Sequence, residues 1–393
     1  MNTDILNIEI QEFINSNLDS DITNLLLKGI HFEGVDSKAI IEQIESKKRS
    51  RKKLPTWFNS ENIYYPNKLN IEQTSSEVTA KYKANLVNGK SLIDLTGGFG
   101  IDGYYFSKQV EGVTHCEINT ELSEIVKHNH KSLGISNIEC VSENGIEVLK
   151  NLDKPFDWIY IDPSRRDDTK QKVFLLSDCT PNIKTYQDLF FKYAKNVMIK
   201  TSPLLDLSAT LADIKHVKEV HIVAVNNEVK ELLWILERNY EDNVVVKTVN
   251  LQKNTIQNFK FIFKEELIAK VEYSEPLIYL YEPNSAILKA GAFNSISAIL
   301  SIQKLHKHSH LYTSKELIDF PGRHFKIDKL IPFNKKIFTK EEISKANITT
   351  RNFPLSVFDI RKKLKIKDGG DIYLFFTTEL NNEKVILICS KLN

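Results

Sequence analysis

The sequence predicts an α/β protein: a parallel sheet, preceded by a helical region and followed by small α+β modules. Three observations predict it. Between residues 71 and 265, short apolar runs alternate with helical stretches, the rhythm of a parallel sheet. Before residue 71, apolar residues recur at helical spacing. After residue 265 the pattern breaks into shorter strand-like and helix-like pieces.

The composition bounds the function classes. A chain of 393 residues suggests two to three domains at about 150 residues each. Lys plus Arg is 53 and Asp plus Glu is 51, a net charge of +2, which excludes a globally basic nucleic-acid coat but not a local basic face. Hydrophobic residues at 41% and charged residues at 26% are ordinary for a globular protein. The four cysteines (Cys116, Cys140, Cys179, Cys389) form no CxxC pair, so neither a zinc site nor a disulfide framework is expected. The N-terminus lacks the charge and apolar core of a secretory signal, and no apolar run approaches the roughly 18 residues of a membrane span. The expectation is a cytoplasmic protein without membrane or metal.

The first region, residues 1–70, reads as helical, from Ile5, Ile8, Ile10, Phe13 and Ile14 and then Ile22, Leu25, Leu26 and Leu27. It carries Lys47-Lys48-Arg49-Ser50-Arg51-Lys52-Lys53, the densest charge run in the chain. Pro55, Trp57, Tyr64, Tyr65 and Pro66 then read as an irregular connector with aromatic anchors. The sheet region, 71–265, offers strands at 91–95, 113–118, 137–141, 158–162, 196–200, 219–225, 244–249 and 259–263. The last two are closely spaced, as in an antiparallel edge. Residues 266–318 hold LIYLYEP, a helical AILKAGAFNSISAILSI and HLYTS. Residues 319–393 hold Phe320-Pro321-Gly322, KANITTRNFP, the basic RKKLKIK (361–367), an Asp368-Gly369-Gly370-Asp371 turn and two strands.

The chemistry concentrates where strands end. Ser91-Leu-Ile-Asp94-Leu-Thr96-Gly97-Gly98-Phe-Gly100-Ile-Asp102 is a strand, an acid, a glycine-rich turn and a helix start. Glycines permit the tight turn and a close approach of backbone to a ligand. An acid at that strand end repels a pyrophosphate but suits an ammonium-bearing ligand such as S-adenosylmethionine (AdoMet). Glu117 ends the second strand, 23 residues after Asp94, where a carboxylate meets paired ribose hydroxyls. Glu143-Asn144 follows the third strand, near an adenine edge. Asp162-Pro163 ends the fourth. For any one acid a solvated strand end is the plain alternative; four on one sheet edge beside a glycine turn argue for a ligand site.

The series resembles a class I AdoMet-dependent methyltransferase, with DLTGGFG as first motif and IDPSRR as fourth. More narrowly, nearly the whole chain resembles the bacterial methyltransferase family with a C-terminal THUMP-like domain. The matching segments are IEQTSSE (71–77), DLTGGFGID, IDPSRRD, IKTSP (199–203), FPGR (320–323), KANITTRNFP and KIKDGGD. The resemblance implies a Rossmann-like methyltransferase domain at 71–265, a ferredoxin-like subdomain at 266–318 and a THUMP-like domain at 319–393. It also implies AdoMet as cofactor and structured RNA as substrate. Its cofactor site would comprise Asp94, Thr96, Gly97, Gly98, Gly100, Asp102, Glu117, Asn144 and Asp162, with Gln73 in a segment closing over the cofactor. For the Gln73–Ser76 stretch, a helix cap by Ser75 or Ser76 is an equal alternative.

Asp162 and Pro163 fit an acceptor loop for exocyclic amines of bases, but no aromatic follows to stack on the base. Arg165 or Arg166 could stack or bind a phosphate instead, or pair with Asp167 or Asp168. No cysteine occupies the loop, which argues against carbon-5 pyrimidine chemistry. Ribose 2′-O transfer is the second option, with Lys200 beside Asp162 and Glu228 or Glu231 further on. There Lys200 either acts as a base or merely pairs with Asp162. The catalytic expectation is therefore Asp162, Pro163 and Lys200. The RNA expectation is Arg165, Arg166, Arg351, Arg361, Lys362 and Lys363, with the run at 47–53 as a further phosphate contact. The expected function is an RNA methyltransferase, with rRNA favoured over tRNA. The competing readings are a noncatalytic RNA-binding or ribosome-assembly factor on the same scaffold, and a protein or small-molecule methyltransferase.

Overall fold

The computed structural model describes residues 1–165, 176 and 179–392, without the side chains of Lys28 and Arg165. The chain divides into two units. One comprises Met1–Lys218 with Leu233–Glu241, the other Glu219–Leu232 with Asp242–Asn393.

The first unit opens with helices α1 (Ile8–Ser16), α2 (Ile22–Lys28), α3 (Ser37–Lys53), α4 (Pro55–Asn59), α5 (Lys68–Gln73) and α6 (Glu77–Ala84). Side chains of Asp21, Asp36, Asn67 and Ser76 cap four of them. The expected irregular connector begins instead as a helix, because Pro55 sits at its first turn, where a missing N–H costs nothing. Trp57, Tyr64 and Tyr65 are the expected buried anchors. The N-terminal helices share one apolar core with the sheet: Ile10, Ile40, Trp57 and Ile71 cluster with Leu92, Phe106, Val126 and Tyr160. Buried amide bonds tie the layers, Asn129 bridging the backbone of Tyr64 through both its oxygen and its nitrogen.

The alternating region follows: β1 (Ser91–Asp94), α7 (Ile101–Phe106), β2 (Gly112–Cys116), α8 (Thr120–Ser132), β3 (Ile138–Val141), α9 (Gly145–Leu152) and β4 (Phe156–Ile161). A small ribbon, β5 (Ser164–Arg165) with β6 (Cys179–Thr180), precedes α10 (Ile183–Tyr193), β7 (Ala194–Thr201) and α11 (Leu207–Asp213). Strands β3-β2-β1-β4-β7 are all parallel. The order reverses at β1, which has β2 on one side and β4 on the other. That topological switch opens a crevice beyond the carboxyl ends of the strands.

Next come β8 (Val217–Val225), β9 (Glu228–Glu237), β10 (Val245–Leu251) and β11 (Ile256–Ile262). Leu233–Glu237 of β9 belongs to the first unit, beside β7; Glu219–Val225 of β8 opens the second, parallel to β10. The β10–β11 pair is antiparallel, as its spacing predicts. Strand β9 was not anticipated. Its Leu232–Leu236 run is continuously buried, and a short continuous apolar run has no period that separates strand from helix.

The rest of the second unit is β12 (Tyr279–Pro283), α12 (Ser285–Ala290), α13 (Ser295–Leu300), β13 (Gln303–Lys304), β14 (Tyr312–Ser314) and β15 (Gly322–Pro332). After these come α14 (Lys335–Thr339), β16 (Lys345–Arg351), α15 (Val357–Leu364), β17 (Lys367–Thr378) and β18 (Lys384–Lys391). The strands form one sheet in the order β13-β14-β12-β15-β18-β17-β16. Only β16 and β17, joined through α15, run parallel within it. The Asp368-Gly369-Gly370-Asp371 turn is a bulge inside β17 rather than a connection between strands. The register steps from Ala346↔Asp368 to Asn347↔Tyr373, with both glycines at positive φ.

Candidate active site

The crevice is built on the ends of β1, β2, β4 and β7. Asp94 closes β1 and is 1% exposed. Its Oδ1 accepts from the Thr96 N–H at 3.0 Å, whereas its Oδ2 is buried without a hydrogen-bond partner. Burial holds the Asp94 carboxyl well above the usual range, and the nearby charges of Asp102, Asp162 and Glu117 push the same way. The glycine turn is pinned to β2: Gly97 N–H donates to Cys116 O at 2.8 Å and Gly98 N–H to Glu117 Oε2 at 2.9 Å. Glu117 Oε1 takes the Asn119 N–H at 2.7 Å. Its remaining lone pairs can still accept from a ligand.

Glycine is required in this turn by space as well as by conformation. A Cβ on Gly97 would lie 2.1 Å from the ring of His115, and Gly100 has φ of +75°. His115 is the buried floor of the loop, its Nδ1 4.0 Å from Asp94 Oδ2, and burial pushes its pKa down to about 3. It is therefore a neutral imidazole.

Across the crevice, Thr96 links the two central strand ends. Asp162 N–H donates to Thr96 Oγ1 at 2.6 Å, and Leu95 N–H to Tyr160 O at 3.0 Å. Lys200, at the end of β7, bonds through Nζ to Asp162 Oδ2. Of the two roles open to Lys200, this contact is the pairing one. Pro163 follows Asp162 and is half-buried.

Other expected residues sit differently. Asp102 lies in α7 and is engaged inside the protein. Its Oδ2 accepts from Ser75 Oγ and Tyr160 OH, both at 2.8 Å, and Lys83 Nζ is 3.0 Å from its Oδ1. Burial alone would raise the Asp102 carboxyl, but the charges of Lys83 and Lys200 bring it below the usual value. This network fastens the IEQTSSE segment to α7. Ser76 caps α6, and Gln73 is exposed at the end of α5. Asn144 caps α9 through Oδ1. Arg166, with Asp167 and Asp168, lies outside the described residues, and Arg165 is described only by its backbone, in β5. Glu228 and Glu231 are on β9, in the part that belongs to the second unit. Among the described residues no group of three or more His, Cys, Asp or Glu could hold a metal. No helix among them is long and apolar enough to cross a membrane.

Several residues at the site escaped the sequence reading. Lys83, Tyr160 and His115 act from beneath, and no spacing signals them. Ile118 did leave a signal: an apolar residue directly after the strand-end acid, 71% exposed at the crevice rim. Leu204, 58% exposed after β7, is similar.

In the second unit, the arginines of two separate motifs converge on Glu282 of β12, which is 5% exposed. Arg351 Nη2 donates to its Oε1 at 2.9 Å and Arg323 Nε to its Oε2 at 2.6 Å. Arg361 bonds to Asp368 and, at 3.2 Å, to Ala346 O. Lys363 Nζ lies 5.0 Å from the centre of the Phe333 ring, and Lys362 is exposed. Arg351 and Arg361 thus hold the domain together.

A parallel Rossmann-like sheet with this glycine turn, followed by ferredoxin-like and THUMP-like modules, defines the class I methyltransferase fold with a THUMP-like extension. Family models agree, matching a ferredoxin-like domain at 279–321 and a THUMP domain-like region at 322–391. The chain is 32% identical to a "putative methyltransferase" from Porphyromonas gingivalis W83, over 99% of this chain and 98% of that one, with a TM-score of 0.88. The chain belongs to the family of that protein. Smaller parts resemble an rRNA methylase from Streptococcus thermophilus (13% identity, 41% of this chain and 93% of that one, TM-score 0.31). A Streptococcus mutans protein solved in complex with SAH is similar at 13% identity, over 41% of this chain and 96% of that one, TM-score 0.31. These two matches are too partial to bear on function. No curated protein matches the chain.

Proposed function

We propose that the protein is an AdoMet-dependent methyltransferase that modifies structured RNA, ribosomal RNA in preference to transfer RNA, at a base nitrogen. One observation carries the cofactor reading: Asp94 Oδ2, buried and unpartnered, at the strand end beside the glycine turn. The residues fit AdoMet. Asp94 would take the ammonium, Glu117 the ribose hydroxyls, and the Gly97–Gly98 backbone would lie against the ligand. When bound, AdoMet supplies an electrophilic methyl group, whose transfer needs alignment more than acid–base help.

The chain's own residues supply that alignment. Thr96 holds the Asp162 backbone N–H and Lys200 the Asp162 carboxylate, which with the Pro163 carbonyl can accept the hydrogens of an exocyclic amine. The Lys200–Asp162 contact favours base nitrogen over ribose 2′-O, because a lysine committed to a carboxylate orients it rather than acting as a free base. The ribose alternative would place Glu228 or Glu231 in the reaction.

Two experiments test this. Nucleoside mass spectrometry of separated rRNA and tRNA from a deletion strain should show one methylated base missing, restored by the wild-type gene but not by Asp162→Ala. A missing 2′-O-methyl nucleoside would select the ribose reading, and no change in either fraction would favour the noncatalytic scaffold or a substrate outside these RNAs. Calorimetry should show AdoMet binding tightening as pH rises. Burial raises the Asp94 carboxyl well above its ordinary range, and an ammonium beside it lowers it again, so binding releases protons over the pH range between the two. Asp94→Asn should weaken binding and remove the pH dependence; an unchanged affinity in Asp94→Asn would exclude this role.

A further inference from the structure

Residues 322–391 contain fifteen Lys and Arg against eight Asp and Glu, although the whole chain is nearly neutral. Most of the arginines are internal, as described above. The lysines are not. Among the described residues, Lys345, Lys362, Lys365 and Lys367 are exposed and make no salt bridge. They meet at one corner. Lys345 and Lys367 are register partners at the first position of the parallel pair β16–β17, and adjacent strands lie only about 4.8 Å apart. The acid beside them, Asp368, is bridged to Arg361. Arg361 also reaches Ala346 O, which brings the end of α15, with Lys362 and Lys365, to the same strand starts.

On α15 itself, Phe358 is 74% exposed. Phe358 and Lys362 stand at i and i+4, one stripe of the helix, and Lys365 follows as its C-cap with φ of +57°. The opposite side holds Ile360, fully buried in the domain core. The stripe therefore presents one aromatic ring and then one cation about 6 Å along the helix, with Lys365 at the helix end and the Lys345–Lys367 pair beyond.

We infer that this stripe binds an unpaired RNA strand, with one base stacked on Phe358 and the flanking phosphates on Lys362, Lys365, Lys345 and Lys367. A ring standing clear of the surface can stack only on a base that is not already stacked in a duplex. Uncompensated lysines at one corner select a polyanion. The inference rests on the RNA reading above and adds to it a site and a single-stranded form of the ligand.

The test uses the full chain, fluorescence anisotropy, a 5′-labelled 12-nucleotide oligo(A) RNA and a 12-base-pair RNA duplex. Oligo(A) should bind more tightly than the duplex. Phe358→Ala should weaken oligo(A) by about 5- to 150-fold and leave the duplex unchanged, while Phe358→Trp should restore binding. Equal affinity for both RNAs, or an unchanged oligo(A) affinity in Phe358→Ala, overturns the inference. No oligo(A) binding at low salt also overturns it and points to a protein partner. Calorimetry with AdoMet on the same samples separates the two readings. AdoMet binding with an unaltered Phe358→Ala removes only the strip; the expected oligo(A) pattern without AdoMet binding removes only the enzyme.

Discussion

Two basic runs of similar sequence have opposite fates. The run at 47–53 lies on α3, and its cations other than the exposed Lys52 are engaged within the first unit. Arg49 pairs with Glu72, Arg51 and Lys48 with Asp19, and Lys53 donates to the carbonyls of Ile71 and Glu72 at 2.9 and 2.7 Å. Lys47 is buried, its Nζ 5.9 Å from the centre of the Tyr65 ring. The expected phosphate contact at 47–53 thus becomes a brace between α3 and its neighbours. The run at 361–367 spends Arg361 on the domain and leaves Lys362, Lys365 and Lys367 outside it. A charge run has no meaning of its own; distant acids and carbonyls decide whether it binds inward or outward.

Removing a buried charge of the first unit should damage the fold. Lys83→Ala leaves Asp102 buried without its cation and should cost about 3–5 kcal/mol, read by chemical denaturation; a loss below 1 kcal/mol would break the contrast. Reversing exposed charges of the second unit should damage binding alone. Lys362→Glu with Lys365→Glu should weaken oligo(A) RNA on the order of tenfold at 0.1 M salt. The slope of log K against log salt should fall by about 1.4, with the melting temperature unchanged.

Arg49→Ala and Arg51→Ala break half-exposed pairs. Each should change stability by no more than about 1 kcal/mol and leave RNA affinity alone; an RNA effect as large as that of the Lys362/Lys365 variant would erase the distinction. The smallest effect concerns Lys47, whose pKa burial lowers. The unfolded chain then binds more protons, so stability should rise with pH until the lysine is neutral in both states. Lys47→Met should flatten that rise, as pH-dependent denaturation would show.

Much of the fold was legible because its signals are local. Apolar strands at regular intervals, an acid before a glycine turn and DLTGGFG, IDPSRR and FPGR each occupy a few consecutive residues. Strand β9 was not legible, since a run buried on both faces carries no period. At the site, Asp94, Glu117 and Asp162 were readable from strand ends. Lys83, Tyr160 and His115 were not, because their roles depend on neighbours far along the chain, such as Ser75 with Asp102 27 residues apart. Asp102 and Asn144 carried the right chemistry, yet an internal network and a helix cap now occupy their oxygens.

What the sequence determined by itself was the fold class, the order of the modules and the acids at the sheet edge. These follow from periodicity and turn chemistry, which act over a few residues. Tertiary structure alone decided which charges remain available. It paired Lys200 with Asp162, joined Arg323 and Arg351 on Glu282, and left Asp94 Oδ2 without a partner beside a glycine turn. It also turned Phe358 and its lysines outward. Each of these depends on groups brought together through space, where burial and the reach of a side chain, not position in the chain, set the partner.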